Sequence, residues 1–475
     1  MPNKISRIRY AAGAMLALGL TVPASAVTLD LVPALKAVRT LAAEEAAESK
    51  PVISMGFLQD KKPSRELPHP LDAPPMPFAE WANEGYAPIG DNWDATTSTL
   101  QKMLYGSKAD SSRNKVYGWF DFGYTASTAD HNTSPLSYGF MPNRPVLDQA
   151  VLRIERMPDT TQTDHADYGY RASLIYGTDY RFTAGDGWWF SQLQQHNQLY
   201  GGDAPELFGL YYLPHVAQGA VIMAGRYISP VDIEAQLAPQ NYLYSHSLMF
   251  SVDPYTYTGA NIETRWSKNW QTLTGFQYGN DKAPWEHSAQ LNLEMLVGYH
   301  TDSNNDALWF GVDSIGGGKY KDGHDDLQLG SFTWGHKFNN KLHFQAQMYY
   351  MWERDAELGG TENDGPVEPY GLGGGAGPII PGTSHNNGFV TYWEYTVNKK
   401  DYATLRYDFL NDPSGIRLGV SDFVQEVTLG YSHYFTKDVC FRPEVRYDWA
   451  NWNSVYDNYT KKDMFTAAAD IIIHF

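Results

Sequence analysis

Val439-Cys440-Phe441-Arg442-Pro443-Glu444-Val445-Arg446-Tyr447-Asp448-Trp449 sorts its side chains into two sets. Val439, Phe441, Val445, Tyr447 and Trp449 fall on one face, and Cys440, Arg442, Glu444, Arg446 and Asp448 on the other, the period of two that an extended strand imposes. The apolar face is expected to meet lipid and the charged face water. The reverse phase would place two arginines in hydrocarbon, at roughly 2 to 4 kcal/mol each near the midplane. Pro443 belongs to the apolar set and has no amide to donate, so a bulge or a local irregularity is expected there.

The same alternation recurs on either side of this segment. In Tyr402 to Phe409, the residues Ala403, Leu405, Tyr407 and Phe409 oppose Thr404, Arg406 and Asp408; in Leu342 to Glu353, the set beginning Leu342, Phe344, Ala346 opposes His343, Gln345 and Gln347. The last segment runs Phe465, Ala467, Ala469, Ile471, Ile473, Phe475. Sixteen such segments can be counted: 117–127, 147–157, 168–177, 207–214, 219–228, 256–266, 270–279, 288–300, 306–315, 327–338, 342–354, 388–396, 402–411, 422–435, 439–449 and 463–475. After the N-terminal region no apolar run reaches the roughly 20 residues of a spanning helix. A bilayer crossing must therefore use a closed sheet that satisfies its own backbone. The fold class expected is all-β, a transmembrane antiparallel β-barrel of sixteen strands. Abundant Tyr (33) and Gly (42) beside modest hydropathy fit that class.

Turn lengths set the orientation. Ser267 to Asn269, Thr301 to Asn305, Asn339 to Lys341, Val397 to Asp401 and Thr436 to Asp438 each join an even strand to the next odd one, which puts the short turns on the periplasmic side. The long connections 178–206, 229–255 and 355–387 then lie outside. Ser229 to Pro254, after the fifth strand, occupies the position from which porins fold a loop inward, an expectation drawn from analogy.

Lys4, Arg7 and Arg9 precede an apolar run from Ala11 to Val22 that ends in Ala24-Ser25-Ala26. This predicts a signal peptide over 1–26. Its removal takes away three positive charges and no acid, moving the net charge from -18 to about -21; nucleic acid is excluded as a partner. Residues 27–115 are expected to form a periplasmic arm, partly helical or disordered, with a helix over 29–50, a proline-crowded stretch over 51–88 and a short helix from Thr96 to Tyr105 capped by Asp94 or Thr96. The barrel occupies 116–475. Cys440 is the single cysteine, so neither an intramolecular disulfide nor a thiolate zinc site is available.

Sixteen strands enclose an aqueous channel, and inward side chains decide what passes. The strand phases place Arg153, Arg265, Arg406, Arg442 and Arg446 on the lumen side together with Glu155, Glu263, Asp408, Glu444 and Asp448. Asp232 and Glu234 would form the acidic face of the inward loop, and neutralising them is expected to lower cation preference. Opposed charges would set a transverse field favouring small polar solutes; the alternative is that they pair across strands and keep the lumen wet. Trp266, Trp270, Trp352 and Trp449 read as interfacial girdles.

No catalytic, cofactor-binding or metal-binding set emerges. The Gly-rich string from Gly371 to Gly377 lacks the following Lys-Ser or Lys-Thr of a phosphate loop. Asp302, Asn304 and Asp306 open like a calcium loop, but the required Gly and distal Glu are missing. Ser, His and acidic residues are scattered without the spacing of a hydrolytic set, so an enzyme is not expected.

Several strings resemble the β-barrel porin-2 (OmpL-like) outer-membrane family: Leu104-Tyr105-Gly106, Lys115-Val116-Tyr117-Gly118-Trp119, Leu174 to Asp179, Gly185 to Gln198, and Phe441 to Trp449. The resemblance covers about residues 100 to 475. It implies a porin in the outer membrane of a Gram-negative-type envelope, passing small hydrophilic solutes passively and surrounded by outer-membrane lipid. By analogy it implies a homotrimer, and the terminal Phe475 resembles the signature read by the barrel-assembly machinery. A solute-selective, oligosaccharide-type channel and a non-conducting structural or adhesin barrel are the alternatives.

Overall fold

The computed structural model describes residues 64–69, 71, 89–91, 97–196, 198–230, 232–252, 254–287, 289–316, 328–356, 382–415 and 417–475. Alternation of the kind seen in Val439 to Trp449 is carried by sixteen strands: β1 (Lys115–Ser127), β2 (Pro145–Arg156), β3 (Asp167–Gly177), β4 (Gly201–Leu213), β5 (Ala220–Ile228), β6 (Thr256–Arg265), β7 (Trp270–Gln277), β8 (Asn292–His300), β9 (Asp306–Gly316), β10 (Gln328–Lys337), β11 (Leu342–Ala356), β12 (Gly382–Asn398), β13 (Asp401–Asp412), β14 (Asp422–Thr436), β15 (Val439–Ala450) and β16 (Asp463–His474). Each strand pairs with its sequence neighbours, and β1 pairs with β16, so the sheet closes into a barrel. With every strand edge paired, the wall leaves no ladder open to lipid.

The phase is the expected one. Phe122, Leu152, Leu174, Leu429 and Val445 face outward and are exposed, while Asp121, Arg153, Arg171, Thr428 and Glu444 alternate with them and are buried inside. Aromatic residues gather near the short-turn rim, where Trp270 lies 4.8 Å from Tyr299 and Phe344 4.7 Å from Trp393, ring to ring.

Two strands begin six residues earlier than the pattern predicts. β4 starts at Gly201 and β12 at Gly382, against the expected 207 and 388. Those extra residues, Gly-Gly-Asp-Ala-Pro-Glu and Gly-Thr-Ser-His-Asn-Asn, have no apolar alternation because this end of the wall stands beyond the hydrocarbon. Pro443 produces no bulge. The β14 ladder stops after Gly430↔Glu444 and resumes at His433↔Phe441 in the same register, and the shift falls instead between Tyr434 and Thr436. A missing donor interrupts pairing here without adding a residue.

At the seam, the amide of Phe475 donates to the Gly118 carbonyl (2.9 Å) and the Gly118 amide donates back to Phe475 (3.1 Å). The Phe475 ring lies 5.0 Å from that of Phe120. A Cβ at Gly118 would sit 2.2 Å from the Val151 carbonyl oxygen and 2.6 Å from the Phe475 ring, so only glycine lets the C-terminal ring lie against β1.

Ahead of the barrel is helix α1 (Thr99–Tyr105). Its cap is Ser98, not the expected Asp94 or Thr96, which lie outside the described residues. Ser98 Oγ accepts from the Gln101 amide at 2.9 Å while donating to the Val116 carbonyl at 2.7 Å, so one hydroxyl both starts the helix and ties it to β1. The signal peptide, the helix over 29–50, most of the proline-rich stretch and the string from Gly371 to Gly377 also lie outside the described residues.

Candidate functional site

The long connection between β5 and β6 turns into the barrel. Its sequence mixes apolar residues (Ile233, Leu237, Leu243, Leu248, Met249, Phe250) with Ser, Asn and Gln, and in the structure all six apolar side chains are buried. A segment of this composition gains by leaving water, provided its backbone finds partners. Some partners are local: Asn241 Oδ1 accepts from the Ala235 amide (2.7 Å) and its Nδ2 donates to the Ala235 carbonyl (2.6 Å), closing a compact turn.

The remaining partners belong to the opposite wall. The Ile233 amide donates to Gln347 on β11 (3.1 Å), and Gln347 Nε2 donates to Asp232 (2.6 Å). The hydroxyl of Tyr392 on β12 donates to Glu234 (2.7 Å). Asp408 on β13 accepts from the Leu248 amide (2.8 Å), and Glu444 on β15 from that of Tyr244 (3.0 Å). Arg442 donates to the carbonyls of Ala238 (2.9 Å) and Asn241 (2.7 Å), while Gln149 on β2 accepts from the Ala238 amide (3.0 Å). The loop thus leaves one side of the barrel and is pinned around the inner wall from β11 to β2. The inward loop expected by analogy is present.

The charged residues form networks. Around β2 to β4, Arg171 lies 2.9 Å from both Glu155 and Glu206, Arg153 pairs with Glu206, and the Tyr117 hydroxyl donates to Glu155 at 2.9 Å. Around β13 to β15, Arg406 pairs with Glu426 at 2.5 Å and sits 3.7 Å from Glu234, and Arg446 pairs with Asp448 at 2.7 Å. Arg442 pairs with Asp470 on β16.

All twelve residues singled out from sequence are buried: Arg153, Glu155, Asp232, Glu234, Glu263, Arg265, Arg406, Asp408, Arg442, Glu444, Arg446 and Asp448. Their arrangement follows the pairing alternative more than the opposed walls, since most of the arginines have a carboxylate within contact on a neighbouring position. Asp232 and Glu234 hold the loop to β11 and β12, so the first consequence of neutralising them is a loosened loop. Arg265 stands apart from the networks, at the short-turn rim, where its guanidinium donates to backbone carbonyls.

Sequence reasoning missed Arg171, Glu206, Glu426 and Asp470. Three of them could have been found, because Arg171, Glu426 and Asp470 share the inward phase of strands already identified. Glu206 could not, because it lies beyond the apolar pattern that marked β4, next to a register shift.

At the long-loop end, Asp457 in the β15–β16 connection accepts from the amides of Asp130 (3.0 Å) and His131 (2.8 Å) in the β1–β2 connection, and Lys461 Nζ lies 3.2 Å from it. Burial alone would raise the Asp457 carboxyl, but these N–H donors and the ammonium outweigh it and hold the group well below the ordinary carboxylate value. A depressed carboxyl contributes stability that is complete above its unfolded value, near 4, and is lost as the pH falls through its folded value. Protection of the Asp130 and His131 amides, corrected for intrinsic exchange, is therefore expected to survive at about pH 4 and to disappear only in stronger acid. Loss already at pH 4 would contradict the assignment.

A family model described as "Putative beta-barrel porin-2, OmpL-like" matches residues 114–475. Similar solved structures include the anion-selective porin from Comamonas acidovorans, with a TM-score of 0.48 and 9% identity over 76% of this chain and 99% of that one. The outer membrane channel DcaP of Acinetobacter baumannii gives 0.46 and 12% over 76% and 97%. The outer membrane protein OmpT of Vibrio cholerae gives 0.45 and 9% over 76% and 99%. No curated protein matches the chain by sequence.

Proposed function

The chain belongs to the OmpL-like β-barrel porin-2 family, and from that premise we propose that it is an outer-membrane porin through which small hydrophilic solutes diffuse passively. The observation that carries the reading is a closed sixteen-strand wall with an apolar exterior, a charged interior and a loop pinned across its bore. A wall of that strand number is wide enough for an aqueous path. The inserted loop narrows it, and ion-paired arginines and carboxylates keep what remains polar, with buried carboxylates outnumbering buried cations. Such a path admits small polar molecules and disfavours apolar ones, which would lose nothing by staying in lipid and would have to displace bound water to enter.

The reading assigns the chain no catalysis. It takes residues 27–115 as a periplasmic arm, Phe475 as the mark read by the barrel-assembly machinery, and the assembled state as a homotrimer. Reconstitution of purified protein tests the central claim. Stepwise conductance in planar bilayers is expected, with liposome swelling that slows as test sugars grow. A correctly folded barrel that conducts no ions and swells no liposomes would instead be a structural or adhesin barrel; abrupt discrimination among sugars of one size would indicate a solute-selective channel.

A further inference from the structure

The short-turn rim of the barrel is crossed by a stretch of the chain that precedes it. Ser64 bridges Gln162 in the β2–β3 turn, and the Arg65 amide donates to the Thr161 carbonyl at 2.8 Å. The Arg65 guanidinium donates to the Tyr212 hydroxyl at 2.7 Å and to the Pro214 carbonyl after β4. Farther along, Asn304 Nδ2 donates to the Pro68 carbonyl (3.2 Å), the Leu71 amide donates to Asn305 Oδ1 (2.8 Å), and Lys337 Nζ at the end of β10 donates to the Leu71 carbonyl (3.3 Å).

The first anchor follows β2 and the last ends β10. In a ring of sixteen strands these two points are half a circumference apart. Seven residue steps, from Ser64 to Leu71, reach at most about 25 Å when extended. The path is thus a chord drawn under the mouth and not a tour of its outer rim.

A second pass of chain braces the first. The Leu67 amide donates to the Gly90 carbonyl (2.7 Å), and the Gly90 amide donates to Thr160 Oγ1 (3.0 Å). Ile89 is fully buried in the same apolar group as Tyr212. Arg265 Nη1 clasps both passes, donating to the Arg65 carbonyl (2.8 Å) and the Ile89 carbonyl (3.1 Å), while its other nitrogens donate to Ser267 and Lys268 carbonyls. Gly90 has φ +95°, and a Cβ there would lie 2.3 Å from the Arg265 guanidinium and 2.4 Å from the Arg65 carbonyl oxygen. Glycine is needed both for the turn and for the clasp.

We propose that residues 64–69 and Leu71, braced by Ile89 and Gly90 and clasped by Arg265, form a strap across the periplasmic mouth that sets a second constriction, in series with the inward loop. Its effect on permeation rests on the porin reading; its position does not. A solute that has passed the loop then leaves through the openings beside the strap, so the size cut-off belongs to the narrower of the two. Arg265 acts as a positioning residue, holding backbone and not solute.

Full-length protein carrying Gly90→Val should show a roughly twofold rise in single-channel conductance and admit larger sugars in liposome swelling, as widening a series constriction requires. Arg265→Gln provides the same readout if Gly90→Val does not fold. Ser64→Cys with Gln162→Cys should form a disulfide, since bridged residues on antiparallel segments lie within reach. In the Gly90→Val or Arg265→Gln background, oxidation should restore wild-type conductance and reduction should raise it again. A folded Gly90→Val or Arg265→Gln protein with unchanged conductance and cut-off overturns the constriction, and failure of the cysteines to pair in the otherwise wild-type chain overturns the strap's position. A Ser64→Cys, Gln162→Cys barrel that pairs its cysteines, together with a wild-type barrel that conducts nothing, refutes the porin reading while leaving the strap in place.

Discussion

Arg406→Ala is expected to unpin the inward loop and to cost about 3–5 kcal/mol, the range for removing one partner of a buried ion pair. The Arg406 side chain is fully buried and is the centre of its network. Its Nε donates to Glu426 at 2.5 Å, Nη1 to the Tyr392 hydroxyl at 3.1 Å, and Nη2 to Ser245 Oγ at 2.9 Å and Thr428 Oγ1 at 3.3 Å. Alanine leaves the Glu426 carboxylate beside Asp408 and Glu234, and among the described residues Arg446, 3.7 Å away, is the cation left to answer it, with the Thr428 hydroxyl as its neutral donor. Repulsion then falls on the side chains that accept the Leu248 and Ser247 amides. The variant should migrate as a less heat-resistant barrel and conduct more, with added open-channel noise from the freed loop. Arg406→Lys should fall between the two, because an ammonium keeps the charge but not the planar fork. Unchanged conductance in a destabilised but folded Arg406→Ala barrel would mean that the loop does not narrow the path.

The second large effect is expected at Glu206. Glu206→Gln keeps the shape and removes the charge shared by Arg153 and Arg171. Both guanidinium groups are buried, and Glu155, 2.9 Å from Arg171, is left to share the balance of two positive charges. A loss of about 3–5 kcal/mol is expected, again from leaving buried charge uncompensated. The double variant Glu206→Gln with Arg153→Met removes the excess charge along with its partner and should recover about half of that loss, a coupling that distant sites do not show. Urea unfolding of Glu206→Gln, Arg153→Met and the double variant in lipid vesicles provides the measurement. Additive losses would show that the quartet is not an electrostatic unit.

The wall was legible in the sequence because every strand crosses the same two environments, so phase and length are repeated sixteen times and each segment can be read by itself. Legibility faded where that environment ends. The outer ends of β4 and β12 carry Gly, Pro and polar residues on both faces, and their pairing is set by the neighbouring strand and not by lipid. Inside the barrel, alternation shows that Arg442 points inward but says nothing of what it meets. Its partners are Asp470 and two carbonyls of a loop some two hundred residues away in sequence. Arg265 illustrates the same limit, since its phase predicts a lumen residue while two of its four carbonyl partners, those of Arg65 and Ile89, come from chain with no strand pattern of its own.

The ladder between β1 and β16 differs from the other fifteen, because it alone joins strands that are not consecutive in the chain. Consecutive hairpins can zip up one after another from local contacts, whereas this last pairing must bring the two extremes of the sheet together and closes the longest loop of all. Until it forms, the cylinder has two raw borders able to pair with any other strand. Watertightness therefore arrives in a single event. Damage near Gly118 or Phe475 should leave an unsealed sheet whose hairpins have already formed.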